Sequence, residues 1–391
     1  MQPSRSPVKE ARLCLMLPRL GRGGGVEGFA WRLAEALAAQ GHRVDFVCSR
    51  QEGKAPPGVR PVVIGRRGLT RAGKMLWFAW AAERVRAEGG YDLCMGLGRT
   101  LRQDLLRYSG GTFPSFHRLT LPAFRPGLPR LAKRLTRALG PANVCIRALE
   151  KRQLAAAPLL VVVSHKTLEW MARDYPWLDT ATVRVVYNRP DLARFAPLPA
   201  QERERARARF GLGPDQVMLA TGGTSFARKG LDTCIRALPE LPEACVLAVA
   251  GARGASRYRR LARRLGIASR VRFLGGLEPE DMGGFYNAAH CFVLPSLFDT
   301  CSNAVLEAMA CGTRVVGSSR DGSSFFLPPE RVLADPADPA ELARAVRAAL
   351  AAPRPEPFTW PEHVPSGVEP YLELINGLLA ERARDSRPPS A

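Results

Sequence analysis

The chain has 391 residues, 46% of them hydrophobic and 24% charged. These proportions fit a folded protein of two domains and exclude disorder as its main state. The formal net charge of +21 calls for an anionic partner, although part of it can reflect an arginine-rich composition.

No apolar run approaches the roughly 18 to 20 residues that a membrane-spanning helix needs. Met1–Arg12 is polar and lacks the apolar centre of a signal peptide, so a cytoplasmic location is expected. Nine cysteines, an odd number without C-x-x-C spacing, read as buried reduced thiols. The five histidines are scattered, and no metal site is expected.

In chain order, Ala11–Leu17 is apolar apart from Arg12, as a buried parallel strand should be. A glycine turn, Gly21–Gly25, leads into a helix over Val26–Gln40 with Phe29, Leu33, Ala36 and Leu37 on one face. Gly41 ends it, and the strand Arg43–Cys48 completes a βαβ unit. Further strands are predicted at Pro61–Ile64, Tyr91–Met95, Leu159–Val163 and Val183–Tyr187, and helices at Arg71–Ala87, Leu128–Leu154 and Lys166–Asp174. These make one open α/β domain over residues 1–195.

The texture changes at 188–200, where Asn188-Arg189-Pro190-Asp191 and Pro197-Leu198-Pro199 suit a connector. A second series follows over 196–355. Its strands are predicted at Gln216–Thr221, Cys245–Ala250, Arg270–Leu274, His290–Leu294 and Arg314–Val316. Its helices are predicted at Leu231–Leu238, Arg257–Leu265, Pro279–Ala288, Ala304–Ala310 and Pro339–Ala351. Residues 356–391 hold a last helix near Gly367–Arg382, expected to pack back on the first domain, and a disordered tail from Arg384. The fold class is α/β, with two Rossmann-like domains facing each other across a cleft.

Ligands of open α/β sheets bind beyond the carboxyl ends of the strands, and three loops there carry chemistry. In the first, Gly24 and Gly25 let backbone approach a ligand at a helix N-terminus, where free N–H groups suit phosphate. The spacing is not G-x-G-x-x-G, which argues against nicotinamide. The second runs from Gly222 to Gly230. Arg228 and Lys229 stand together at a helix start, a position unfavourable for cations unless an anion lies between them. The third follows the strand His290–Leu294. Asp299 and Glu307, eight apart, flank the backbone of Cys301, Ser302 and Asn303 at a helix start. That is an anion site between two carboxylates able to accept bonds from sugar and ribose hydroxyls. The plain reading of Asp299 is a cap, and of Glu307 a helix-face charge.

The Asp299–Glu307 segment, followed by Ala308-Met309-Ala310-Cys311-Gly312, resembles the E-x7-E signature of glycosyltransferase family 4. Arg228-Lys229-Gly230 resembles that family's phosphate-binding element, and Gly23–Val26 its N-terminal glycine loop. Within the family, the Asp-first motif with Cys-Ser-Asn is similar to the lipopolysaccharide core glucosyltransferase I group. The resemblance implies a GT-B fold, a UDP-sugar co-substrate, retention at the anomeric carbon, and neither cofactor nor essential metal. It assigns Gly24, Gly25, Gly222, Arg228, Lys229, Asp299, Cys301, Ser302, Asn303 and Glu307 to the donor. Arg228 and Lys229 would stabilise the charge growing on the leaving diphosphate, Asp299 would hold sugar hydroxyls, and Glu307 would hold the ribose. Two departures stand out: the first acid is Asp, and Asn188-Arg189-Pro190-Asp191 replaces N-G-V-D.

On the acceptor side, Asp104 and His117 lie where related enzymes place acceptor and catalytic groups. Either could bond a sugar hydroxyl, although a lone histidine in a loop is often solvated. Segment 118–152 is strongly basic, with Leu128, Leu131, Leu135 and Leu139 at helical spacing. It suits an anionic bilayer, and the expected acceptor is a lipopolysaccharide core or similar glycolipid at the inner face of the cytoplasmic membrane. The competing reading of the leucines is a core-facing stripe. A GDP-mannose transferase or a nucleotide-sugar epimerase remain alternatives. No helix-turn-helix, zinc-finger or RNA-recognition pattern supports nucleic-acid binding.

Overall fold

The computed structural model describes residues 10–124, 127–251, 254–356 and 358–385. The first half runs β1 (Arg12–Met16), β2 (Arg19–Leu20), α1 (Gly25–Ala39), β3 (Arg43–Cys48), β4 (Arg50–Gln51), β5 (Val59–Val63), α2 (Arg71–Glu88), β6 (Leu93–Gly96), β7 (Leu105–Tyr108), α3 (Phe113–Leu119), α4 (Leu128–Leu139), α5 (Pro141–Ala155), β8 (Leu159–Val162), α6 (His165–Asp174) and β9 (Arg184–Val185). Seven of the strands form one sheet in the order β5-β3-β1-β6-β7-β8-β9, and every pairing in it is parallel.

Side chains alternate across a strand, and β1 is apolar from Leu13 to Met16 because both of its faces are covered. Leu13 and Leu15 pack with Phe29 and Leu33 of α1, while Cys14 and Met16 pack with Phe78 and Ala82 of α2. Each fully buried leucine contributes roughly 1.5–3 kcal/mol.

The second half runs α7 (Ala200–Arg209), β10 (Val217–Gly222), α8 (Leu231–Ala237), β11 (Cys245–Ala250), α9 (Ser256–Arg264), β12 (Val271–Gly275), α10 (Met282–Ala288), β13 (Cys291–Val293), α11 (Asn303–Ala310), β14 (Arg314–Ser318), β15 (Val332–Leu333) and α12 (Pro339–Ala351). Its six strands are parallel in the order β12-β11-β10-β13-β14-β15. The two-faced logic repeats: Leu219 and Leu247 face α8 and α12, while Met218 and Ala248 face α10 and α11. The last helix, α13 (Glu369–Asp385), returns to the first sheet, where Tyr371 meets Phe29 edge-on at 4.9 Å.

The structure departs from expectation in several places. The predicted helix Leu128–Leu154 is two helices. Gly140 adopts an extended ψ of 125°, because Pro141 disfavours the helical region in the residue before it. The strand β7 and the helices α3 and α7 were not predicted. Arg384 and Asp385 belong to α13 instead of a tail, and residues 386–391 lie outside the described residues. Eight of the nine cysteines are buried and Cys145 is exposed; none is in a disulfide.

Candidate active site

The carboxyl ends of both sheets face a cavity of about 650 Å³. Glycine builds its floor. A Cβ on Gly222 would lie 2.6 Å from the Ala250 carbonyl. Gly230, at φ +74°, seats the following helix so tightly that a Cβ would lie 2.1 Å from the Pro295 carbonyl. That close packing brings the loop after β10 against the loop after β13.

Here Arg228, Lys229 and Asp299 meet. Lys229 Nζ lies 2.5 Å from Asp299 Oδ2, and Arg228 Nη1 lies 3.1 Å from the same oxygen. Arg228 also donates to the Phe298 carbonyl at 2.9 Å, and Lys229 to Ser302 Oγ at 3.3 Å. Burial pushes the Asp299 carboxyl up, but Lys229 and Arg228 overcome it and hold the group below the usual carboxylate range. The anion expected between the two cations is therefore, in this structure, the protein's own Asp299.

Of the other residues predicted to hold a donor, Gly25, Gly222, Cys301, Ser302 and Asn303 line the cavity. The backbone at the α11 start is less open than expected. Ser302 N–H already donates to Asp321 Oδ1 at 3.2 Å, and the Cys301 side chain turns inward against Val163 and Leu306. Gly24 (φ +91°) caps α1 and is not part of the cavity wall. Glu307 is also set back from the wall. Its carboxylate accepts from Tyr286 Oη at 2.8 Å, and Tyr286 lines the cavity. Burial pushes the Glu307 carboxyl up, against the opposing pull of Tyr286 and Arg194.

The two predicted acceptor-side residues lie elsewhere. Asp104 stands at the amino end of β7, roughly 16 Å along the strand from Ser109 at its other end. It accepts from the Cys94 N–H at 2.6 Å and bridges to Arg382 at 2.5 Å, so it ties the sheet to α13. His117, on α3, packs against Phe113 with ring centroids 4.1 Å apart and lines a separate cavity with Arg118, Arg134 and Arg137. Burial, then Arg137, Arg147 and Lys133, pushes its pKa down to about 4, so it is neutral at pH 7.

Three groups at the site were not foreseen. Asp321, after β14, lies back to back with Asp299 through a parallel bridge. Its Oδ1 accepts from the N–H groups of Ser302 and Ser323 and from Ser323 Oγ, while its buried Oδ2 has no partner among the described residues. Burial, then Asp299, pushes its pKa up to about 7. Arg107, a buried β7 residue lying 3.9 Å over the Phe29 ring, donates to Asn188 Oδ1 at 2.7 Å. Asn188, from the connector, donates in turn to Asn303 Oδ1 at 2.8 Å and to the Cys301 carbonyl at 3.2 Å. A chain of hydrogen bonds thus crosses from one domain to the other at the mouth of α11. A Cβ on Gly25 would lie 2.9 Å from Asn303 Nδ2, so the first glycine loop touches the same point. Among the described residues, no cluster of His, Cys, Asp and Glu could hold a metal ion.

The comparisons with known proteins agree with this fold. The profile described as Glycosyltransferase Family 4 matches residues 23–194, and that described as Glycosyl transferases group 1 matches residues 215–352. A D-inositol 3-phosphate glycosyltransferase of Streptomyces scabiei is 29% identical, over 94% of this chain and 90% of its own length. WaaG, a glycosyltransferase involved in lipopolysaccharide biosynthesis, superposes with a TM-score of 0.73 at 20% identity, over 96% of this chain and 95% of that one. HepE of Anabaena, solved with UDP-glucose, superposes with a TM-score of 0.67 at 15% identity, over 96% and 100%. The chain has the GT-B fold and belongs to glycosyltransferase family 4.

Proposed function

We propose that this enzyme is a retaining glycosyltransferase that moves a hexose from a UDP-sugar to a glycolipid acceptor such as a lipopolysaccharide core. The observation that carries this reading is the Arg228–Lys229–Asp299 cluster on the wall of the interdomain cavity. In the proposed reaction the donor diphosphate takes over the two cations. Fixed positive charge then stabilises the leaving nucleotide as the glycosidic bond opens, with no metal ion and no cofactor required. Asp299, released from the cations, accepts bonds from sugar hydroxyls. Glu307 acts through Tyr286 on the same cavity. The units 1–195, 196–355 and 356–391 are the proposed domains, with acceptor on the first and donor on the second.

UDP is the proposed nucleotide because the cited HepE structure holds UDP-glucose and the Asp299–Asn303 motif resembles a UDP-glucose-using group. The glycolipid is proposed from α4. Leu128 and Leu139 on this helix are 81% and 74% exposed, beside Arg130, Lys133 and Arg134. No helix among the described residues is long and apolar enough to cross a membrane, so contact through α4 would be peripheral, at the inner face of the cytoplasmic membrane.

The test is a thermal-shift panel of UDP, GDP and ADP against wild type and Lys229→Ala. A rise in Tm selective for UDP and lost in the variant supports the reading. A folded wild type that responds to no nucleotide sinks it.

A further inference from the structure

Phe298 stands immediately before Asp299 in the loop after β13. Burying a phenyl ring is strongly favourable, and the ring partners of Phe298 belong to the other domain. It stacks on Trp170 of α6 with centroids 4.4 Å apart and meets Phe116 of α3 edge-on at 5.4 Å. Gly111 leaves the room for it, since a Cβ there would lie 2.5 Å from Phe298 Cζ. Phe298 and Trp170 are only 4% and 2% exposed, so this contact is fully dry.

Thr300, on the other side of Asp299, is held by the same first domain. Its Oγ1 donates to the Ser109 carbonyl at 2.7 Å, and its carbonyl accepts from Ser164 Oγ at 2.5 Å. The main chain of Asp299 itself is fixed within the second domain, to the loop after β14. Its N–H donates to the Arg320 carbonyl at 2.9 Å, and its carbonyl accepts from the Gly322 N–H at 3.1 Å. The acid thus sits on a pivot in its own domain, with both sequence neighbours gripped by the other. The Phe298 carbonyl also accepts from Arg228 at 2.9 Å. The residue that docks on the first domain therefore touches one of the two cations that Asp299 holds.

We propose that Trp170 and Phe116 are positioning residues for the donor site: through Phe298 they press the Asp299 carboxylate onto Arg228 and Lys229, so that the first domain sets how firmly this acid keeps the cations from a diphosphate. Coupling of this kind passes through packed side chains that have two arrangements. Simple closure of the cleft predicts the opposite dependence, because loosening a contact that shuts the domains weakens nucleotide binding. Phe116 neighbours His117, which lines the separate basic cavity, so a displacement of α3 reaches Asp299 through one ring. The choice of UDP as the competitor of Asp299 rests on the glycosyl-transfer reading above; the positioning of Asp299 does not.

UDP is titrated calorimetrically into wild type, Trp170→Leu, Asp299→Asn and the variant carrying both changes. Trp170→Leu is expected to bind UDP about 3- to 5-fold more tightly than wild type, because a loosened Asp299 yields the cations more readily. Trp170→Phe keeps a ring against Phe298 and should restore the wild-type affinity. In the Asp299→Asn background, Trp170→Leu should leave UDP affinity within about two-fold, since no charge remains to be positioned. A role in packing alone would lower the Tm without this dependence on Asp299. Weaker UDP binding by Trp170→Leu, or an equal effect with and without the Asp299 charge, overturns the proposal. Thr300→Val removes the bond to Ser109 without opening a cavity and makes the same comparison should Trp170→Leu unfold. The four proteins are also unfolded in urea without UDP. The combined loss of stability is expected to be smaller than the sum of the single losses, and additive losses overturn the positioning role. If wild type binds no UDP, the glycosyl-transfer reading falls while the urea cycle still decides the contact.

Discussion

The Lys229 ammonium lies 2.5 Å from the Asp299 carboxylate on the wall of the interdomain cavity. Arg228 holds the same oxygen at 3.1 Å. Both cations suited to a diphosphate are thus occupied by the protein's own acid, and a donor must compete for them. This ion pair keeps two cations satisfied in a partly buried site until a ligand arrives. Removing one partner of such a pair leaves uncompensated charge behind.

Asp299→Asn separates the two roles of the acid. The amide keeps the shape and drops the charge, so Arg228 and Lys229 are free for the nucleotide. UDP is expected to bind roughly 3- to 10-fold more tightly, while hexose transfer falls by about 10- to 100-fold through the weaker bond to sugar hydroxyls. Without UDP the variant should melt earlier than wild type, and saturating UDP should restore it. Calorimetry and turnover measure the two effects. Weaker UDP binding in the variant would contradict the competition.

How much of this was legible follows from where each signal resides. Arg228, Lys229, Asp299 and Ser302 were readable because they sit just after apolar runs that form strands, and the carboxyl ends of such strands converge. Asp321 was not, because Arg320-Asp321-Gly322 reads as an ordinary turn; its meaning arises only once β14 pairs beside β13. Asp104 and His117 were misplaced for one shared reason. The strand between them, β7, has the sequence LLRY with Arg107 buried in it, and a charged residue in a four-residue run conceals a buried strand. Without β7, which end of it faced the cleft was unreadable. The helix α7 escaped notice because it is charged on nearly every side and buries only Ala206. Its helicity comes from propensity, not from an apolar stripe.

Asp321 gives the site a pH signature. Its pKa in the folded protein, raised to about 7 from an ordinary 3.8, means that the folded state binds the extra proton. Its contribution to stability is therefore complete below pH 4 and is lost as pH rises toward 7. Asp299 has the opposite sign, and its contribution is lost only below the ordinary carboxylate range. Asp321→Asn mimics the protonated acid, since Oδ1 can still accept from Ser302 and Ser323. The variant is expected to hold a flatter Tm between pH 5 and pH 7.5 than wild type. Parallel profiles would show that Asp321 is ionised throughout.

The glycines of the two cavity loops differ in what they tolerate. Gly230→Ala places a Cβ against the rigid Pro295 carbonyl at a φ of +74°, and should cost roughly 2 kcal/mol or more. Gly25→Ala meets only the Asn303 side-chain amide, at 2.9 Å, which can swing aside. Its stability should stay within about 1 kcal/mol of wild type, while the Asn188–Asn303 hydrogen bond across the domains is lost. Denaturant unfolding checks the first expectation. The second shows as a transfer rate that falls without a matching fall in stability. Equal destabilisation by both changes would mean that the α1 loop is held as rigidly as the Pro295 turn.

The leucines of α4 provide the last prediction. The competing reading placed this stripe in a core, yet none of its residues is buried, and Leu131 and Leu135 are each 52% exposed. Exposed leucines contribute little to folding, so Leu131→Ser/Leu135→Ser should leave the Tm within about 2 °C of wild type. On a bilayer the same side chains would enter the interface while Arg130, Lys133 and Arg134 meet anionic head groups. Wild type is therefore expected to float with vesicles containing phosphatidylglycerol, and less so as salt screens the arginines. The serine variant should lose most of this association at any salt concentration, because the apolar part of the binding is gone. Charge-reversed variants of Arg130 and Lys133 should lose only the salt-sensitive part. If the serine variant floats as well as wild type, the surface is electrostatic alone, and the stripe needs a protein to cover it.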